Sequence, residues 1–377
     1  MPSGGKGKEG RVGGSSKRQT FIGVQALRGV AACMVAVHHS TQISAADFGR
    51  DMLPHVWNTG AAGVDIFFGI SGFVMAVSAT GRNKPTASKF IGRRLIRIVP
   101  LYWLITLTTF FKQFLVRQYP TFGSNGIHAH TPLSGLVASL LFIPFRAPNG
   151  EIAPLVQAGW TLNFEIFFYL LFATALALKI KPVRFLTPVM LVLALVGLFR
   201  QESWPAVTIF ANPILLEFLG GVLLGYAAEN GLRLSTMGAT MLGVMGAAAM
   251  LLNPQAIYMY GSERVLEWGI PAFLVVQATV TLEGRISRSI PPWILRIGDA
   301  SYSLYLIHML VVMMVGRLLV KARILAPESV FVAIGVVAAV LVSLVLYRFV
   351  EKPMTTALGR WTSWGVPQIV AVESATI

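Results

Sequence analysis

The chain has 377 residues, of which 55% are hydrophobic and only 12% are charged, and its mean hydropathy is +0.67. A soluble domain carries about 25% charged residues, so this composition excludes a soluble protein and indicates an integral membrane protein. The formal charge of +15 would suit a nucleic-acid ligand. Lys and Arg also collect at the cytoplasmic ends of membrane helices, however, so we expect membrane lipid and no nucleic acid as the partner.

Both ends of the chain differ in composition from its centre. Residues 1–18 are rich in Gly, Ser, Lys and Arg, which predicts a disordered basic cytoplasmic tail. Arg28 interrupts the apolar run that follows, so we expect an uncleaved first helix rather than a signal peptide. Apolar segments then recur throughout, which predicts one membrane domain at 19–356 and a cytoplasmic tail at 357–377. The single cysteine, Cys33, is expected to fill space between helices.

Ten stretches of about 20 apolar residues predict ten transmembrane helices. An eleventh apolar piece, 133–145, is shorter and is predicted to be re-entrant or interfacial. If it does not cross, most of the 31 basic residues lie on the side of the N-terminal tail, as the positive-inside rule requires. Lys321 and Arg323 fall on the other side and count against this arrangement. The predicted fold is an all-α polytopic membrane protein with both termini cytoplasmic. The ten stretches are 22–40, 60–79, 95–115, 158–178, 183–199, 206–227, 235–252, 265–282, 299–320 and 329–349.

Glycines lie inside several of these stretches. Gly69 and Gly72 belong to the second, and Gly221 and Gly225 have GxxxG spacing in the sixth. Small residues at such spacing let membrane helices approach closely, so we expect these glycines to be packing positions.

The first predicted helix carries three ionisable side chains. Such groups are costly inside a membrane and indicate a functional site. Arg28 and His39 are eleven residues apart, close to three helical turns, so they share one face about 16 Å apart along the axis. His38 points roughly 80° away from that line. We therefore expect His39, with Arg28, to form part of a catalytic site.

Two other predicted helices carry an acidic residue. Asp65 either pairs with a histidine or an arginine to fix helix register, or orients a catalytic histidine, and the sequence favours neither interpretation. Glu165 lies a full turn inside an aromatic helix, with Tyr169 at i+4. A glutamate at this depth is either paired with a cation or protonated, and we expect it to pair with Arg28 or Arg97.

Three arginines lie at the start of the third predicted helix. Arg93, Arg94 and Arg97 are spaced i,i+3 and i,i+4 and share one helical side. Anchoring to lipid phosphate at the membrane surface is one interpretation. However, Arg97 lies one turn inside the apolar run, where no anchor is needed, and a planar guanidinium suits phosphate better than an anchoring lysine does. We therefore expect the cluster to bind phosphate groups of a ligand.

Six short motifs, taken in order, make the chain resemble the acyltransferase-3 family of integral membrane O-acyltransferases. It looks closest to the members that acetylate bacterial exopolysaccharide or lipooligosaccharide units. Each motif is weak alone, but the ordered set is specific and covers about 20–353. The motifs are Arg28 with His39; Asp65-Ile66-Phe67-Phe68 with Ser71-Gly72-Phe73; Arg93, Arg94 and Arg97 with Pro100 and Tyr102; Trp160-Thr161-Leu162 with Glu165 and Tyr169; Ser301-Tyr302 with Tyr305 and His308; and Glu351-Lys352-Pro353.

The resemblance implies a ten-helix core in the bacterial inner membrane, acetyl-CoA as cytoplasmic donor and no metal. The implied acceptor is a hydroxyl of a cell-surface or lipid-linked saccharide, and polysaccharide-assembly proteins are further implied partners. The catalytic residues it implies are His39, Arg28, Asp65, Glu165 and Glu351. The donor-binding residues it implies are Arg93, Arg94, Arg97, Tyr102, Trp160, Tyr305 and His308.

Acyl transfer from a thioester to an alcohol needs a base for the hydroxyl, a cation or hydrogen-bond donor for the developing oxyanion, and a hold on the donor's phosphates. On this hypothesis His39 is the base, and Arg28 lies between it and the phosphate-binding arginines. A covalent acyl-imidazole at His39 is a variant that the sequence leaves open. The alternative function is a transporter or flippase for an anionic or glycan substrate, in which Arg28, His39 and Glu165 would form a substrate or proton pathway.

Overall fold

A computed structural model describes residues 18–48, 55–79, 84–118, 132–147, 150–232, 234–252, 262–362, 364–365 and 371–373. Most of the predicted N-terminal tail lies outside these residues. The α-helices are α1 Ile22–Phe48, α2 Gly63–Ser78, α3 Ala87–Gln118, α4 Leu133–Leu140, α5 Gly159–Ala177, α6 Pro182–Gly197, α7 Leu215–Glu229, α8 Thr236–Leu252, α9 Ser262–Arg264, α10 Ile270–Ile286, α11 Pro292–Asp299, α12 Ser301–Lys321, α13 Glu328–Leu346 and α14 Lys352–Trp361. Short 3₁₀ helices are His55–Ala62, Ala206–Phe210 and Ser287–Ser289, and π-helical turns are Val265–Gly269 and Tyr347–Glu351.

Seven helical stretches of the described chain are long and apolar enough to cross a membrane. Two more apolar helices, α6 and α8, are shorter at 16 and 17 residues. Helix α1 has 27 residues, about 40 Å, although its polar and ionisable residues lower its hydropathy. The protein is therefore a multi-pass helical membrane protein, and the count of ten spans stays a prediction. The seven stretches are Thr59–Ser78, Ala87–Leu115, Gly159–Ala177, Ala206–Glu229, Ser262–Ser289, Ser301–Lys321 and Glu328–Trp361.

The apolar piece at 133–145 forms only the eight-residue helix α4. Eight residues rise about 12 Å, less than half of the hydrocarbon thickness of about 30 Å, so α4 does not cross the membrane. It lies against α3, where the indole Nε1 of Trp103 donates to the carbonyl oxygen of Leu140 at 2.8 Å.

The two ends of the chain lie next to each other. Residues Arg18–Thr20 and Ala371–Glu373 pair as a two-stranded antiparallel ribbon. These two described segments therefore lie on the same side of the helical bundle, whereas the even number of spans stays a prediction. The predicted domain boundary at 356 falls inside α14, whose helix continues to Trp361.

Glycines set the closest helix contacts. A Cβ atom on Gly72 would lie 2.1 Å from the carbonyl oxygen of Phe218, and one on Gly221 would lie 2.1 Å from that of Gly69. Only glycine therefore permits α2 and α7 to approach this closely, as the sequence pattern predicted. Gly298 does the same for α1 and α11, because its Cβ would lie 2.3 Å from the carbonyl oxygen of Gln25.

Candidate active site

Helices α1 and α12 share two polar contacts. Arg28, which is buried, donates from Nη2 to the Ser301 hydroxyl at 3.1 Å. Further along both helices, Nδ1 of His39 lies 3.1 Å from Nε2 of His308. The first contact joins the residues that come earlier in each helix, and the second joins the residues that come later. The two helices therefore run in the same direction. The face of α1 that carries Arg28 and His39 therefore contacts α12 at both positions.

The two histidines of this pair also contact backbone carbonyl groups. Nδ1 of His39 lies 3.1 Å from the carbonyl oxygen of Val35, one turn earlier in α1. Nδ1 of His308 lies 3.2 Å from the carbonyl oxygen of Leu304, one turn earlier in α12. Their ring centroids are 5.0 Å apart, and His308 is completely buried.

A cavity with about 740 Å³ of empty space, including the part open to solvent, lies beside Arg28. Residues of α1, α2, α3, α5 and α12 line it. Its charged lining groups are three guanidinium groups and one carboxylate, from Arg28, Arg94, Arg97 and Glu165. The cavity thus contains more positive than negative charge inside a membrane bundle. Such an excess favours an anionic ligand, because an uncompensated charge is costly to bury.

The carboxylate of Glu165 is held by hydroxyl groups. Ser71 donates to its Oε1 at 3.2 Å, and the Tyr169 hydroxyl donates to the same oxygen. The expected ion pair with Arg28 or Arg97 is wrong, because neither guanidinium lies within 4 Å of Glu165. Both hydroxyl groups therefore bind one oxygen of the carboxylate, and Arg28 and Arg97 line the cavity beside it.

The predicted three-arginine cluster divides into two parts. Arg94 and Arg97 line the cavity, and the Arg94 guanidinium lies 5.8 Å from the ring centroid of Tyr169. Arg93 does not line the cavity. It turns toward the C-terminal segment, where its Nε donates to the carbonyl oxygen of Trp364 at 2.7 Å. The structure thus separates Arg93 from Arg94 and Arg97, and its expected donor-binding role stays a prediction.

Asp65 does not contact His39. Its two carboxylate oxygens accept from Nε and Nη2 of Arg264 at 2.9 and 2.7 Å, and both residues are buried. Arg264 also donates to the carbonyl oxygen of Ala61. Of the two interpretations that the sequence left open for Asp65, pairing with an arginine is the one observed. The sequence analysis missed Arg264, whose signal was a basic residue at the edge of an apolar span.

Three other expected site residues are not among those that line the cavity. Tyr102 is completely buried and stacks on Phe142 at 4.8 Å. Trp160 packs with its ring centroid 5.9 Å from the Arg264 guanidinium. Glu351 is buried and accepts from the Ser303 hydroxyl at 2.5 Å, which ties the end of the α13 segment to α12. The donor-binding roles expected for Tyr102 and Trp160, and the catalytic role expected for Glu351, stay predictions.

Tyr305 lies where the cavity ends. It lines the cavity, and its hydroxyl donates to the carbonyl oxygen of Ala158 at 3.0 Å. Its ring centroid is 5.9 Å from that of Phe67 and 6.0 Å from that of His308. His39 and His308 are not among the cavity's lining residues, so the cavity does not connect Arg28 directly to His39. The rings of Phe67 and Tyr305 lie at the end nearer the histidine pair.

Comparison with known proteins decides the family. A family model described as "Acyltransferase domain", acyltransferase-3, matches residues 21–348. The chain belongs to the acyltransferase-3 family. The match includes Arg28, His39 and His308 and ends three residues before Glu351. With this family and its helical bundle, the protein is a membrane O-acyltransferase.

Two relatives cover most of this acyltransferase. The chain is 33% identical over 318 residues to the exopolysaccharide production protein ExoZ of Rhizobium meliloti (strain 1021), which covers 80% of this chain and 91% of that protein. It is 26% identical over 346 residues to the acyltransferase MdmB of Streptomyces mycarofaciens, which covers 82% of this chain and 84% of that protein. No solved structure matches the chain.

The Asp65–Arg264 pair of this acyltransferase is expected to hold the bundle together rather than to react. Replacing one partner leaves the other charge buried alone, so Asp65→Leu or Arg264→Met should each cost about 3–5 kcal/mol of stability. The double variant should recover part of this loss, because neither member of the pair is then left without the other, although the buried Glu217 beside them remains. Thermal unfolding midpoints of the purified proteins in detergent measure the difference. An Asp65→Leu protein with the wild-type midpoint and no activity would contradict the structural role.

Proposed function

We propose that this protein transfers an acetyl group from acetyl-CoA to a hydroxyl of a cell-surface or lipid-linked saccharide, at the bacterial inner membrane. The observation that carries the proposal is the cavity whose charged lining is Arg28, Arg94, Arg97 and Glu165. An acyltransferase needs an activated acyl donor, and a cationic cavity suits a donor that carries several phosphate groups.

Charge and geometry support CoA as the donor's carrier. Arg94 and Arg97 lie near the start of α3, and both face the cavity. A guanidinium binds phosphate through paired N–H groups, and it stays charged at any physiological pH. The Arg94 side chain is also braced between aromatic rings, 5.8 Å from the centroids of Phe90 and Tyr169. We assign the CoA phosphates to these two arginines.

In the predicted topology, the donor enters the cavity from the cytosol. With both termini cytoplasmic, α3 begins at the cytoplasmic face, so Arg94 and Arg97 lie at the inner end of the bundle. Pairing of Arg18–Thr20 with Ala371–Glu373 supports termini on one side. In this arrangement the nucleotide end of the donor stays near the cytosol while its thioester extends toward the bilayer centre.

A saccharide acceptor is supported by the relatives. One is described as an exopolysaccharide production protein and another as an acyltransferase. Saccharides present hydroxyl groups, which are weak nucleophiles until a base removes the proton. The chain offers a histidine for this step on the same helix face as Arg28.

We assign the reaction to the His39 end of the site. His39 takes the proton of the saccharide hydroxyl while the hydroxyl oxygen forms a bond with the thioester carbonyl carbon. The carbon–sulfur bond then breaks, and the proton passes to the thiolate, which leaves as free CoA. Arg28, about 16 Å before His39 along α1, lies between this reaction and the phosphate-binding arginines, on the path of the donor. To reach His39, the thioester must pass the contact between Phe67 and Tyr305.

Release of free CoA distinguishes this enzyme from a transporter. Purified wild-type protein with acetyl-CoA and a saccharide acceptor should release one CoA for each ester that forms. A thiol reagent measures the free CoA, and mass spectrometry measures the ester. His39→Ala should reduce the rate at least about 100-fold, since general base catalysis contributes 10²–10⁴-fold. His38→Ala is the matched control, because His38 neither lines the cavity nor bonds to His308. Undiminished turnover by His39→Ala at equal abundance would exclude His39 as the base.

Donor affinity should distinguish the two parts of the arginine cluster. Arg97→Ala removes charge-assisted hydrogen bonds worth about 1.5–3 kcal/mol, so the Kd for CoA should rise about 10- to 100-fold. Arg93→Ala should leave the Kd nearly unchanged, because Arg93 bonds to Trp364 outside the cavity. Isothermal titration calorimetry with CoA in detergent measures both. Equal affinity losses in the two variants would contradict the assignment of the phosphates to this cavity.

A further inference from the structure

His308 faces His39 at hydrogen-bond distance, yet neither histidine lines the donor cavity. We propose that His308 is a positioning residue for His39: together with the Val35 carbonyl it keeps the proton of His39 on Nδ1, so that Nε2 of His39 is the base. This inference rests on the proposed function of His39 as the general base. It replaces the donor-binding role that the sequence resemblance implied for His308.

The surroundings of His308 determine which of its ring nitrogens carries the hydrogen. Its Nδ1 lies 3.2 Å from the carbonyl oxygen of Leu304, which can only accept a hydrogen bond. Nδ1 of His308 therefore carries the hydrogen. A neutral imidazole has one N–H and one lone pair, so Nε2 of a neutral His308 is an acceptor. The opposite tautomer would direct a nitrogen lone pair at a carbonyl oxygen in a completely buried site.

Nε2 of His308, as an acceptor, is then one of the groups that determine the tautomer of His39. Nδ1 of His39 has two neighbours, Nε2 of His308 at 3.1 Å and the carbonyl oxygen of Val35 at 3.1 Å. Both neighbours are acceptors, so Nδ1 of His39 must be the donor to both. The lone pair of His39 is consequently on Nε2. These hydrogen positions are assigned from the hydrogen-bond network, which is the usual basis for histidine tautomers.

The same contact assists the reaction. When Nε2 of His39 takes the hydroxyl proton, the ring becomes an imidazolium, and its Nδ1–H bond to a neutral acceptor stabilises the new charge. A carboxylate has this role in a Ser-His-Asp triad, where it holds the tautomer and does not itself become protonated. The described neighbours of the pair that titrate are His38, whose ring centroid is 5.1 Å from that of His39, and Tyr305. Asp65, the acid expected for this role, is bound to Arg264 instead.

The test is a matched pair of variants, His308→Gln and His308→Met. Gln and Met have similar length, but only Gln offers an oxygen near the position of Nε2 that accepts from His39. His308→Met should lower kcat about 10- to 100-fold with an unchanged KM for acetyl-CoA, which is typical when the partner that orients a reactive group is lost. The loss of kcat should stay below about 10⁴-fold, which is the loss seen when the histidine of a Ser-His-Asp triad adopts the wrong tautomer. The Val35 carbonyl still accepts from Nδ1 of His39 and so keeps its tautomer in the variant. His308→Gln should keep kcat within about threefold of wild type.

Several results would overturn the inference. A raised KM with unchanged kcat in both variants would assign His308 to donor binding. Equal losses of kcat in both variants, with equally lowered unfolding midpoints, would assign it a packing role only. If the Met variant does not fold, a large loss of kcat in a folded His308→Gln protein overturns the inference on its own. Absence of CoA release by the wild type would instead refute the proposed function, whereas wild-type turnover that needs His39 but not His308 would refute this inference alone.

Discussion

The site depends on the requirement that polar side chains within a membrane helix find partners inside the bundle. Arg28 and His39 are costly on a lipid-facing surface, and α12 supplies a partner for each, Ser301 and His308. The close approach of α1 to α11 at Gly298, directly before α12 begins, brings the two helices into reach. One helix pair therefore aligns a cation at the cavity with a base beyond it.

The cationic cavity also requires that the Glu165 carboxylate in its lining does not form ion pairs with the arginines there. The hydroxyl groups of Ser71 and Tyr169 donate hydrogen bonds to the Glu165 carboxylate. Asp65 forms its salt bridge with Arg264 on another side of α2. Among the residues that the structure describes, no carboxylate lies within ion-pair distance of the Arg28 or Arg97 guanidinium, and both guanidinium groups line the cavity. This is the arrangement expected where the missing negative charge arrives with a ligand.

The sequence could predict features that depend on local periodicity. The common face of Arg28 and His39, the glycine contacts of α2 and α7, and the short piece at α4 all follow from helical spacing or segment length. It could not predict partners that are distant in the chain. Asp65 and Arg264 are 199 residues apart, and Arg93 and Trp364 are 271 apart. Spacing alone placed Arg93 with Arg94 and Arg97, but the C-terminal segment draws it away. The sequence also could not separate packing from binding for Tyr102 and Trp160, since an aromatic side chain in a membrane helix serves either purpose.

In the proposed complex, the donor's phosphates lie against Arg94 and Arg97 while its sulfur approaches His39 past Tyr305. An electron cryo-microscopy map of the purified protein with bound CoA tests this most directly. The account predicts phosphate density within hydrogen-bond distance of both guanidinium groups, and the CoA sulfur on the His39 side of the Phe67–Tyr305 contact. A nucleotide bound elsewhere, or a sulfur that ends on the Arg28 side with the two rings still in contact, would contradict it.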